Sequence, residues 1–154
     1  LSVMKVFLIG MPGSGKSTLG KQLATALNIP FIDLDIEIEK QEGKTVKEIF
    51  SQDGEVRFRE IESGLLKHYA EASSDFVLAT GGGAPCFYNG LEVINKAGVS
   101  IFLDVPIDEI VKRLGNDQSR PLLSTTDAMT MREKLNALRM QRLPVYAKAS
   151  ITID

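Results

Sequence analysis

The run Gly10-Met-Pro-Gly-Ser-Gly-Lys16-Ser17 satisfies G-x-x-x-x-G-K-[ST] at every fixed position, and no other feature of the chain narrows the possible folds so far. Its context is the one its chemistry requires. The apolar stretch at residues 4–9 reads as a buried strand, and Lys16–Leu27 reads as a helix with Leu19, Leu23, Ala26 and Leu27 on one face. Glycines let the main chain curl until its N–H groups converge on phosphate oxygens. The helix N-terminus adds about half a positive charge. Gly13, Ser14, Gly15, Lys16, Ser17 and Thr18 are therefore expected to hold a nucleoside triphosphate. Lys16 would reach the β- and γ-phosphates and the Ser17 hydroxyl would ligate Mg²⁺. The bland alternative is a glycine-rich turn with a surface lysine, which the flanking strand and helix disfavour. Such a loop fixes a triphosphate site but not a reaction, since hydrolysis, switching and phosphoryl transfer all use it.

The rest of the chain alternates short apolar runs with longer amphipathic segments, the pattern of βαβ units around a parallel sheet. Further strands are expected at 31–34, 76–80 and 99–104 and from Ile151 onward. Helices are expected at 36–41, 46–52, 54–72, 91–96, 107–114 and 127–149, the last kinked or reset by Pro144. Gly43 and Asp53-Gly54 punctuate the early helices, and residues 115–126 read as a polar, mobile segment. A chain of 154 residues is one domain with one core. With 44% hydrophobic and 25% charged residues it is not globally disordered. No apolar run approaches the ~20 residues of a spanning helix, and no signal-peptide layout opens the chain. The single cysteine, Cys86, excludes an intrachain disulfide and a multi-cysteine zinc site, and a reducing, cytoplasmic setting is expected. With 18 Lys+Arg against 20 Asp+Glu there is no general electrostatic case for nucleic acid, although local basic groups can still bind a small anion.

Other residues point to a second substrate. Asp33 and Asp35 straddle Leu34 at the end of the second expected strand. Strand alternation would put both carboxylates on one side, at the sheet end where open α/β folds take ligands. A carboxylate there can hold Mg²⁺ through water or accept a hydroxyl proton, and it can equally cap the following helix. Arg59 and Glu62 share a helix face, either as a solvated pair or as an oriented guanidinium. Gly81-Gly82-Gly83 follows the third strand, and three glycines there favour close approach of a ligand to the main chain. That strand ends in no acidic residue, which argues against a standard P-loop ATPase and leaves Asp33 as the nearest metal partner. Arg120-Pro-Leu-Leu lies in the polar segment, where a basic side chain can close over phosphates. Arg142-Leu-Pro-Val-Tyr146 falls late in the last helix; arginine suits carboxylate capture, and a solvated helix face would also carry it. His68 and the methionines at 129, 131 and 140 read as surface or packing residues, and Cys86 as a small filler.

In this order and spacing, Gly10–Ser17, Asp33-x-Asp35, Phe58-Arg59, Gly81-Gly82-Gly83, Arg120-Pro-Leu-Leu and Arg142-x-Pro-x-Tyr146 resemble the shikimate kinase family over almost the whole chain. The phosphate loop alone is widespread; the other five together are specific. The resemblance implies a three-layer α/β/α P-loop fold with a five-stranded parallel sheet, similar to nucleoside monophosphate kinases. It implies a single domain, 1–154, with an acceptor-binding segment at 35–62 and a lid at 115–126. It implies transfer of the ATP γ-phosphoryl group to the 3-hydroxyl of shikimate, giving shikimate 3-phosphate on the route to aromatic amino acids. Carried over by residue, Lys16 and Ser17 would handle phosphates and Mg²⁺, and Asp33 would hold the metal through water. Asp35 would bind the acceptor hydroxyls and help deprotonate the attacking one. Arg59 and Arg142 would grip the carboxylate, with Glu62 steadying Arg59. Gly81, Gly82 and Gly83 would contact ring hydroxyls, Arg120 would be the lid arginine, and Arg113 would lie near adenine. ATP and shikimate are the implied partners and Mg²⁺ the cofactor, with no nucleic acid, no membrane and a monomeric chain. The family pattern continues past the fifth strand into an adenine-contacting loop and a final helix, so these are expected beyond Asp154. A gluconate-type or nucleoside monophosphate kinase, and a nucleotide-dependent switch, are the rival readings.

Overall fold

A computed structural model describes residues 3–114 and 128–154. The strands β1 (Lys5–Ile9), β2 (Phe31–Asp33), β3 (Phe76–Ala79), β4 (Val99–Leu103) and β5 (Ile151–Ile153) form one sheet in the order β2-β3-β1-β4-β5. All pairings are parallel; Phe7 of β1 stands opposite Leu78 of β3 and Ser100 of β4. β1 and β3 are buried along their whole length, as inner strands covered on both faces must be. Alternate residues of these strands feed two apolar layers. Val6, Leu8, Val77 and Leu103 meet Leu19, Leu23 and Ala24 of α1 (Lys16–Leu27). Phe7, Ile9, Phe76, Leu78 and Phe102 join the larger core, to which α3 (Val46–Glu71), α4 (Gly90–Ala97), α5 (Ile107–Leu114) and α6 (Ala128–Tyr146) contribute. This is the parallel sheet with βαβ units expected from the alternating pattern, in the three-layer α/β/α arrangement that the resemblance implies.

The connection leaving β1 runs to β2 on one side, whereas β4 and β5 lie on the other, so the strand order reverses at β1. In an open parallel sheet the crevice outside the strand carboxyl ends at such a point is the place for a ligand. Among the described residues, no helix is long and apolar enough to cross a membrane.

Three boundaries differ from expectation. β2 stops at Asp33 and α2 (Leu34–Glu42) begins at once, because an Asp33 carboxylate oxygen accepts the Ile36 N–H at 3.3 Å. This capping bond satisfies an orphan helix donor, and the acidic Asp35 and Glu37 suit the positive end of the helix. Asp35 therefore lies in the first turn of a helix, and strand alternation does not set its direction. The helices expected at 46–52 and 54–72 form α3, opened by a reciprocal Thr45–Glu48 capping box and broken at Gly54 (φ 86°, ψ 166°). α6 ends at Tyr146, within a turn of Pro144, and does not run on to residue 149.

Candidate active site

The phosphate loop joins β1 to α1 through Gly13 (φ 78°) and Gly15 (φ 94°), both in the left-handed region. Gly15 is the N-cap of α1, no side-chain hydrogen bond caps that helix, and its positive end therefore faces the loop. The Lys16 ammonium folds back across the loop and donates to the carbonyls of Gly10 at 2.7 Å and Met11 at 3.0 Å. Ser17 donates its hydroxyl to Asp33 Oδ2 at 2.9 Å, so the two groups expected to serve a metal stand together. A hydroxyl and one carboxylate beside a phosphate loop suit Mg²⁺, which keeps several waters and takes one or two protein oxygens along with substrate phosphates. Among the described residues no cluster of three or more His, Cys, Asp or Glu could hold a metal. Arg113 of α5 donates to the Gly13 carbonyl at 3.2 Å and pairs with Glu109, so it lies against the phosphate loop.

A cavity of about 470 Å³ is lined by residues 13–18 together with Asp33, Asp35, Thr80 and Gly81. It therefore links the loop to the turn after β3. At that turn charged side chains of three elements close in on main chain that carries no side chains of its own. A Cβ on Gly81 would stand 3.0 Å from Asp35 Oδ1 and 3.2 Å from Glu62 Oε2. On Gly82 it would stand 2.6 Å from Arg142 Nη1, and on Gly83 it would overlap the Arg59 guanidinium. Arg59 is buried and tightly held. Its Nη1 donates to Glu62 Oε1 at 3.0 Å, while Nε and Nη2 share Glu55 Oε2 at 3.3 and 3.2 Å. The Phe87 ring covers the guanidinium at 4.3 Å and Phe58 lies 5.2 Å away. Glu62 is 2% exposed. Burial pushes its carboxyl up to about 7 against the opposing pull of Arg59.

The sequence model of the shikimate kinase family matches residues 12–154. The chain belongs to the shikimate kinase family. It is 42% identical over 151 residues to the shikimate kinase of Parabacteroides distasonis, covering 97% of this chain and 87% of that one. The structure of shikimate kinase from Acinetobacter baumannii in complex with shikimate is similar at a TM-score of 0.93 and 35% identity, over 99% of this chain and 83% of that one. Shikimate kinase from Bacteroides thetaiotaomicron gives a TM-score of 0.91 at 41% identity, over 98% and 86%. With this family come the P-loop fold and ATP-dependent kinase activity.

For a shikimate kinase family member, most of the residues singled out in the sequence come together. Gly13 to Thr18, Asp33, Asp35 and Gly81 line the cavity, and Arg142 and Arg59 lie against the neighbouring Gly82 and Gly83. The pair of carboxylates expected on one side of the second strand is instead a cap residue, Asp33, and a first-turn residue, Asp35, of α2. Arg120 and the expected lid at 115–126 lie outside the described residues. The sequence patterns give Glu55 and Phe87 no role, and Tyr146 none beyond its place in the Arg142-x-Pro-x-Tyr146 motif. Glu55 is four residues before Arg59 and Tyr146 four after Arg142, so helical spacing could have suggested both. Phe87 has no such signal, because its contact with Arg59 depends on the chain path through the short 3-10 turn at Ala84–Cys86.

Proposed function

We propose that the chain transfers the γ-phosphoryl group of ATP to the 3-hydroxyl of shikimate, with residues 13–18 holding the triphosphate and residues 35–62 supplying much of the acceptor site in a single kinase domain. The observation that carries this reading is the convergence of Asp35, Arg59, Glu62 and Arg142 on Gly81–Gly83, with Asp35 and Gly81 lining the cavity that Lys16 and Ser17 also line. Two arginines are the groups for a carboxylate, and one acidic side chain beside them is the group for a reacting hydroxyl. The relative from Acinetobacter baumannii, solved with shikimate, supports the identity of the acceptor.

In this reading Lys16 and the N–H groups at the start of α1 bind the β- and γ-phosphates. Ser17 and Asp33 hold Mg²⁺, which when bound offsets negative charge on those phosphates. Arg113 flanks the nucleotide on the outer side of the loop. Arg59 and Arg142 orient the acceptor through its carboxylate, and Glu55 and Glu62 keep Arg59 from turning. Asp35 accepts the proton of the attacking hydroxyl as the oxygen–phosphorus bond forms and ADP departs. Phosphoryl transfer of this kind depends chiefly on alignment and charge, so the chain needs no covalent intermediate. Release of ADP from Mg-ATP, followed with shikimate, gluconate and nucleoside monophosphates in turn, tests the reading. Strong turnover is expected with shikimate alone; equal turnover with another acceptor, or hydrolysis indifferent to acceptor, overturns it.

A further inference from the structure

Tyr146 stands one helical turn after Arg142 on α6, and none of the roles above uses it. Its side chain is fully buried, with the ring 5.0 Å from that of Phe102 and tilted by 34°. Packing alone would be served by phenylalanine; a buried phenol needs a partner for its hydroxyl. The partner here is the Gly82 carbonyl, to which the Tyr146 hydroxyl donates. Gly82 is also the glycine against which Arg142 lies, within 2.6 Å of the place a Cβ would take. Burial drives the phenol proton well above its ordinary range, with Arg142 pulling the other way, so the hydroxyl stays a donor at any working pH.

A peptide between glycines has little to hold its orientation. The Gly82 carbonyl and the Gly83 N–H share one planar peptide unit and point in opposite directions. Anchoring the carbonyl therefore aims the N–H. We propose that Tyr146 is a positioning residue for the acceptor: its hydroxyl locks the Gly82–Gly83 peptide and the Arg142 guanidinium into one unit, so the acceptor meets a preset pair of contacts. This rests on the acceptor site proposed above and adds to it a residue that touches neither substrate.

Tyr146→Phe keeps the ring and removes only the hydroxyl. Expected is a rise of about tenfold in the KM for shikimate, the size of one lost buried hydrogen bond. The kcat and the KM for ATP should stay within about twofold, which a general loss of core stability would not produce. In an Arg142→Lys background the further effect of Tyr146→Phe should shrink to about twofold, since the two groups act as a unit. An unchanged shikimate KM, full multiplication of the two effects, or parallel loss of ATP binding would each overturn the inference, the last by assigning the hydroxyl to the core. Wild-type protein that fails to turn over shikimate would instead strike at the function itself.

Discussion

Single residues carry two opposed demands in this site, and Glu62 shows them most directly. Arg59 favours its ionised form at 3.0 Å, yet burial wins and the carboxyl titrates at about 7 against an ordinary value of 4.5. Between those values the folded chain holds a proton that the unfolded chain has released. The native state then binds more protons, so its stability falls as pH rises. This contribution is fully present below about 4.5 and is lost as pH climbs through 7. Glu62→Gln keeps an oxygen for Arg59 and removes the titration, so the fall in melting temperature from pH 5 to pH 8 should be smaller in the variant. Equal slopes would contradict the assignment. Asp35 makes the complementary case. In the proposed reaction Asp35→Asn would remove the proton acceptor without touching the loop, so turnover should fall by roughly 100-fold or more while ATP affinity, read by calorimetry, stays unchanged.

At the scale of elements, α3 owes its usefulness to a break. The Gly54 backbone is in a region open almost only to glycine, and a Cβ there would meet nothing within 4 Å. The cost of Gly54→Ala is therefore backbone strain alone, about 1–3 kcal/mol in urea unfolding. Because Glu55, Arg59 and Glu62 follow the break, the same change should raise the shikimate KM more than the ATP KM. The break was legible in the sequence, since Asp53-Gly54 interrupts an otherwise helical pattern. The direction of Asp35 was not, because strand alternation and helix capping compete at Asp33 and the local hydrogen bond to Ile36 decides. Phe87 over Arg59 was beyond reach for a different reason: the two residues are brought together by packing between elements, which no spacing rule encodes.

For the whole molecule, the alternation of buried strands and amphipathic helices made the fold class readable, because inner parallel strands must be apolar on both sides. The strand order was not readable from periodicity, which says nothing about which strands are neighbours. What the assembled fold adds is a shared carboxylate. Asp33 takes the Ser17 hydroxyl on one oxygen, at 2.9 Å, and starts α2 with the other. A cation held by Ser17 and Asp33 would act on the same carboxylate that caps the helix turn bearing Asp35. In the proposed reaction the nucleotide and acceptor sites would be coupled through Asp33. Shikimate should bind about fivefold tighter or more when Mg-ADP is present than when it is absent. Asp33→Asn, which retains an oxygen for the helix start but weakens the hold on Ser17, should flatten that difference, and identical shikimate affinities with and without nucleotide in the wild type would show that no such coupling exists.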